Sequence, residues 1–184
     1  MRYLLTLLTL CLPLFCFAST ADDAQIPDTL TLGEHTLTLN GAGIRSKYFM
    51  DVYVAGLYLP APNQNATEII QADEPQTMRL VITSSHITKA RLLDSIEEGV
   101  EKSAGADYPR FKPHLKELEA ALNFEVQQGD QYDFSWIPGS GTHVYRNGEA
   151  LQVLPTLAFK QVLFGIWLGE DPVQRSLKQA LLLQ

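Results

Sequence analysis

The sequence predicts an α+β domain, one antiparallel sheet with helices packed on a face. Three observations predict it. Short turns join stretches in which polar and apolar residues alternate, so neighbouring strands run antiparallel. Apolar positions at helical spacing form two blocks, one between the strands and one after them. Helices are thus grouped rather than interleaved with single strands, which excludes a doubly wound parallel sheet.

The elements follow in order. Thr29-Leu30-Thr31-Leu32 and Thr36-Leu37-Thr38-Leu39 alternate about Gly33-Glu34, a β-hairpin pattern. Asn40-Gly41-Ala42-Gly43 reads as a turn, and Ile44 to Leu59 as one long strand rich in Tyr, Val and Phe, with Asp51 marking a bulge or turn. Pro60-Ala61-Pro62-Asn63 ends it. Thr67 to Gln71 is read as a short helix and Met78 to Thr83 as a strand. Thr88 suits the cap of a helix carrying Leu92, Leu93, Ile96 and Val100. A second helix is read from Phe111, Leu115, Leu118 and Leu122. Residues 124–153 return to β character, with Asn147-Gly148 as a type I′ hairpin turn. An apolar helix from Thr156 to Leu168 stops at Gly169, and a last helix is expected to open at Asp171-Pro172.

The chain has 184 residues, enough for one domain with a core. With 14 Lys and Arg against 21 Asp and Glu it is acidic, net −7, which argues against a nucleic-acid partner. Residues 1–21 read as a secretory signal: Arg2, an apolar run from Tyr3 to Leu12, then Pro13 and small residues suited to cleavage after Ala18 or Ala21. The run is short for a membrane span of about 20 residues. The mature domain is then residues 22–184, with 13 cations, 21 anions, a net charge of −8 and no cysteine, since Cys11 and Cys16 both leave with the signal. Disulfide and thiol chemistry leave with them. The expected location is outside the cytoplasm: periplasmic in a Gram-negative cell, otherwise secreted. No stable membrane span is expected after cleavage.

Several motifs carry little. His35, His86, His114 and His143 lack metal-ligand spacing, so no metal is expected. Gly41-Ala42-Gly43 has no following Gly-x-x-Gly helix start, so no dinucleotide or other cofactor is expected. Ser84-Ser85-His86 suggests a nucleophile and base, but adjacent strand side chains point to opposite faces. Asn65-Ala66-Thr67 is a glycosylation sequon only in a eukaryotic secretory route.

Two longer stretches say more. Leu39-Asn40-Gly41-Ala42-Gly43-Ile44-Arg45, followed by Val52-Tyr53-Val54-Ala55-Gly56-Leu57-Tyr58-Leu59, resembles the chalcone isomerase superfamily. So does Phe159-Lys160-Gln161-Val162-Leu163-Phe164-Gly165-Ile166-Trp167-Leu168-Gly169, which is similar to that family's closing helix. The likeness runs from about Leu30 to the C-terminus and looks closest to the secreted bacterial chalcone isomerase-like proteins. It implies an open-faced β-sandwich: a large antiparallel sheet covered by a layer of helices, with a ligand cleft between.

The family holds enzymes that cyclise chalcones and non-enzymatic relatives that bind fatty acids. The resemblance places the enzymes' Arg at Arg45 and their strand Thr at Tyr53. Their catalytic Tyr falls near Ile87, an Asn near Asp94, and a Ser or Thr at Ile166. The Arg remains and the other polar groups are changed. Isomerisation needs donors where negative charge develops, and isoleucine cannot donate. The fatty-acid-binding relatives use an Arg and a Tyr on this strand to hold a carboxylate. Arg45 and Tyr53 are eight residues apart, so on one uninterrupted strand they share a face. A guanidinium offers a fork to a carboxylate, and the phenol adds a donor.

The reading is an exported, non-catalytic binder of a fatty acid or similar apolar carboxylate. Arg45 and Tyr53 bind the ligand, and Ile87, Asp94, Phe159, Leu163 and Ile166 line the cleft. Two alternatives stay open: an isomerase or lyase of unknown substrate on the same scaffold, and an envelope interaction protein with a vestigial cleft. Plainer roles also stand beside these: Arg45 paired with Asp51, Tyr53 as strand core, Lys47 solvated, and Phe159, Leu163, Phe164 and Trp167 as core, with some of these four also lining the cleft.

Overall fold

The computed structural model describes residues 26–182. Seven strands form one sheet in chain order, every neighbouring pair antiparallel: β1 (Thr29–Leu32), β2 (His35–Lys47), β3 (Met50–Leu59), β4 (Gln76–Ile82), β5 (Gln131–Ile137), β6 (Gly141–Arg146) and β7 (Glu149–Leu154). Five α-helices accompany it among the described residues: α1 (Ala66–Gln71), α2 (Lys89–Ala104), α3 (Lys112–Ala121), α4 (Leu157–Leu168) and α5 (Arg175–Leu181). This is the α+β, helix-covered sheet expected. The expected signal, residues 1–21, lies outside the described residues.

One core joins sheet and helices. Alternate residues of β3, β4 and β5, among them Leu57, Leu80 and Phe134, pack against Leu92, Ile96 and Val100 of α2 and Phe159, Leu163 and Phe164 of α4. Each such side chain contributes about 1.5–3 kcal/mol by leaving water. α4 lies against both α1 and α2, and α5 lies on β2. α2 starts where its cap residue predicts: the Thr88 hydroxyl accepts from the Arg91 N–H at 3.3 Å. The β6–β7 turn has Asn147 at φ 50° and Gly148 at φ 83°, as the Asn-Gly signal requires.

Two expectations need correction. The segment Asn40–Gly43 is not a turn but the middle of β2, and the long strand is divided instead at Tyr48-Phe49. The glycines serve close approach. A Cβ on Gly41 would sit 2.2 Å from the Ala180 carbonyl oxygen, and one on Gly43 2.7 Å from the Ala180 Cβ, so α5 could not lie on a strand with larger residues there. The true turn carries no Gly or Asn. Tyr48 and Phe49 both hold positive φ, 52° and 64°, which costs on the order of 1–3 kcal/mol each in bulky residues.

The second correction concerns α5, which begins at Arg175 rather than at Asp171-Pro172. The intervening link is held by the Val173 N–H donating to the Ile166 carbonyl at 2.8 Å. The cap residue, Gln174, gives its side-chain oxygen to Arg45 and Ser46 of β2 and its amide to the Ser176 hydroxyl, so it makes no cap bond to a backbone N–H of its own helix.

Candidate functional site

The paired ends of β2 and β3 meet α2 and the C-terminal turn of α4 around a cavity of about 380 Å³. That volume falls within the range of about 300–1,000 Å³ usual for small-molecule pockets. Val52, Leu80, Leu92, Ile96, Ile166 and Trp167 supply apolar wall. Cations and anions both stand about it: Arg45, Lys47 and Arg91 on one side of the account, Asp94 and Glu98 on the other. Lys102, chiefly through a hydrogen bond, holds the Glu98 carboxyl below the usual carboxylate range, and Lys47 and Arg45 add to this.

Arg45 and Tyr53 are directly opposed across the β2–β3 ladder. They therefore share a face, but as cross-strand neighbours and not as residues of one strand, so the parity argument is replaced by one of register. Arg45 is half-buried and oriented by two bonds from Nη1, to the Ser46 carbonyl at 2.6 Å and to Gln174 Oε1 at 3.1 Å. Its Nε and Nη2 donate to no acceptor among the described residues. The pairing of Arg45 with Asp51 does not occur: Asp51 Oδ1 accepts from the Ser46 hydroxyl at 2.7 Å, and Arg45 enters no ion pair among the described residues.

Tyr53 is buried at the cavity wall, and its hydroxyl oxygen accepts from Trp167 Nε1 at 2.9 Å. Burial pushes the phenol pKa up to about 12, against the lowering effects of the Trp167 bond and the Arg45 charge. The group is therefore neutral over the physiological range. Its proton has no acceptor among the described residues, which leaves one O–H donor beside the Arg45 fork.

The other expected site residues divide. Ile87, Asp94 and Ile166 line the same cavity as Arg45 and Tyr53. Phe159 and Leu163 do not: both are fully buried in the core, and Phe159 stacks on His114 with ring centroids 4.8 Å apart. α4 buries nearly its whole circumference, so helical spacing could not tell which of its residues front a cavity. Ser84 and His86 form no nucleophile–base pair; the Ser84 hydroxyl accepts from the His86 backbone N–H at 3.2 Å. Trp167 fills both roles open to it, buried in the core and standing at the cavity wall. Gln174 reaches Arg45 across 129 residues with no local signal in the sequence.

A larger groove of about 580 Å³ runs between α2 and α3. Lys89, Glu97, Lys112, Lys116 and Glu119 share its wall, so it lacks the apolar enclosure of the first.

A family model described as chalcone isomerase-like matches residues 18–183. No curated protein matches the chain. Among solved structures, the crystal structure of a fatty-acid binding protein from Arabidopsis thaliana is similar, with a TM-score of 0.69 at 16% identity, covering 85% of this chain and 90% of that one. At that identity the likeness establishes the fold.

Proposed function

We propose that this chain, which belongs to the chalcone isomerase-like family, binds a fatty acid or similar apolar carboxylate and does no chemistry on it. The observation that carries the reading is the cavity itself. It joins an apolar interior to an oriented guanidinium without an ion pair and a neutral phenol whose proton has no acceptor, both among the described residues. The fatty-acid binding of the structural neighbour supports it.

The energetics suit an acyl ligand. Each buried methylene is worth about 0.8 kcal/mol, so a long tail supplies most of the affinity. Arg45 and Tyr53 then fix which end enters, each charge-assisted bond adding about 1.5–3 kcal/mol before desolvation. Catalysis of the isomerase type lacks support, because two cavity positions that the resemblance assigns to polar groups hold Ile87 and Ile166.

We take the chain to be exported and to lose its leader by cleavage after Ala18 or Ala21. Protein recovered from a producing cell's envelope or medium should then begin at Ser19 or Asp22; a full-length intact mass would overturn this part. For the ligand, native mass spectrometry of protein purified without denaturation should show an extractable acyl adduct. A bare mass, together with no thermal shift on adding fatty acids, would sink the binding reading. Cyclisation of a chalcone that disappears in Arg45→Ala would instead move the site to the isomerase class.

A further inference from the structure

Four of the chain's exposed large apolar side chains gather at one place: Ile44, Tyr48, Phe49 and Met50, at the β2–β3 turn. Tyr48 is 81% exposed and Phe49 is fully exposed, at 108%. Both sit at positive φ, a conformation that the two-residue turn between β6 and β7 gives to Asn147-Gly148 and the one between β1 and β2 gives to Gly33. The β2–β3 turn therefore holds two aromatic rings in water, in a backbone that favours small residues, with no core contact in return. Such an outlier points toward function.

We propose that this turn is a docking tip for the surface of a lipid bilayer, with Tyr48 and Phe49 entering the interfacial layer. The composition fits that layer, where aromatic rings settle at headgroup depth. Lys47 lies over the Tyr48 ring at 5.7 Å, and at this hairpin end the cations Arg45 and Lys47 outnumber the one acid, Asp51, which accepts from the Ser46 hydroxyl. A long cationic stem can lie along apolar surface while its head stays with phosphate. A protein partner fits less well: a two-residue convex turn offers far less than the ~800 Å² per side that a stable interface buries. Lys47, Tyr48 and Met50 also line the cavity, so a docked tip would bring its mouth to the membrane. That link to ligand uptake rests on the acyl reading above; the docking itself does not.

The test places a reporter at the tip. In the Phe49→Trp variant, freed of its leader as the wild-type chain is, the added indole replaces a fully exposed ring, while Trp136 and Trp167 are buried and are subtracted using the wild-type chain. On adding phosphatidylcholine vesicles, its emission should shift to the blue, and bromine in the lipid acyl chains should quench it. The same is expected with phosphatidylglycerol mixed in. Unchanged emission with both vesicle types overturns the proposal. So does a blue shift that follows protein concentration without lipid, which assigns the tip to a second copy of the chain. No acyl ligand is needed in this test and no vesicle in the mass-spectrometric one, so either reading can fail without the other.

Discussion

Trp167 donates its indole N–H to the hydroxyl oxygen of Tyr53 at 2.9 Å, tying the last turn of α4 to the middle of β3. The bond uses the oxygen and leaves the phenol's own proton without an acceptor among the described residues. Tyr53→Phe removes both. It should destabilise the fold by about 1–3 kcal/mol, because a buried N–H loses its acceptor, and it should weaken acyl binding. Trp167→Phe keeps the phenol donor, so its loss should fall on stability rather than on affinity. Urea unfolding and calorimetric titration separate the two; equal affinity in wild type and Tyr53→Phe would remove Tyr53 from the ligand site.

Arg45 is held by Gln174 and, among the described residues, is paired with no carboxylate. Arg45→Ala should lower affinity for a free fatty acid by about 10-fold or more, the value of a charge-assisted bond of ~1.5–3 kcal/mol. The methyl ester, which carries no charge, should bind wild type and variant alike. A loss of the same size for acid and ester would mean that Arg45 supports the wall and does not recognise the head.

Chain length is a second axis. If the tail fills the cavity, each added methylene should tighten binding by about 4-fold, from ~0.8 kcal/mol apiece, until the cavity is full. Titration of saturated acids of increasing length checks this. A flat response would place the tail outside the protein.

The strained turn makes a stability prediction of its own. Tyr48→Asn combined with Phe49→Gly introduces residues suited to φ 52° and 64°. It should raise the unfolding free energy by about 1–2 kcal/mol, read from the urea midpoint at unchanged m. A lower midpoint would show that the aromatic side chains stabilise the hairpin.

Lys160 is fully buried, and its Nζ donates to the carbonyls of Ile69, Ile70 and Ala72 at 2.8, 2.9 and 3.0 Å, closing the C-terminal end of α1. Burial pulls its pKa down from 10.5 to about 8. Between these two values the unfolded chain holds the extra proton, so this group makes stability rise with pH from about 8 to 10.5 and lowers it again as pH falls through 8. The difference in unfolding free energy between wild type and Lys160→Met should therefore grow in favour of wild type across that window. A constant difference would mean that Lys160 titrates as an ordinary lysine.

Much of the fold was legible because it rests on local signals. Alternation in β1 and the start of β2, the Thr88 cap and the Asn147-Gly148 turn each involve residues within a few positions of one another. The sequence points elsewhere where distant contacts or an atypical turn decide the structure. Gly41 and Gly43 resemble turn residues by composition, but they are small because α5, more than 130 residues later, lies against them. Tyr48-Phe49 lacks every turn residue type, so composition points away from the turn that exists. The start of α5 carries no local cap signal because the Gln174 side-chain oxygen goes to Arg45 and Ser46 and makes no cap bond to its own helix.

By itself, the sequence determined the class of the protein: an acidic, helix-covered antiparallel sheet with Arg45 and Tyr53 as its candidate ligand groups. Hydrophobic period, caps and the family motifs are written in neighbouring residues, and burial of apolar surface enforces them. Tertiary structure decided what those groups can do. It set Arg45 opposite Tyr53 by register rather than parity, gave Arg45 to Gln174 and not to Asp51, and gave the Tyr53 oxygen to Trp167. It also sent Phe159 and Leu163 into the core while leaving Ile166 at the cavity. The physical reason is the same in each case. Hydrogen bonds and cavity walls depend on which side chains meet in space, and here the partners stand up to 129 residues apart.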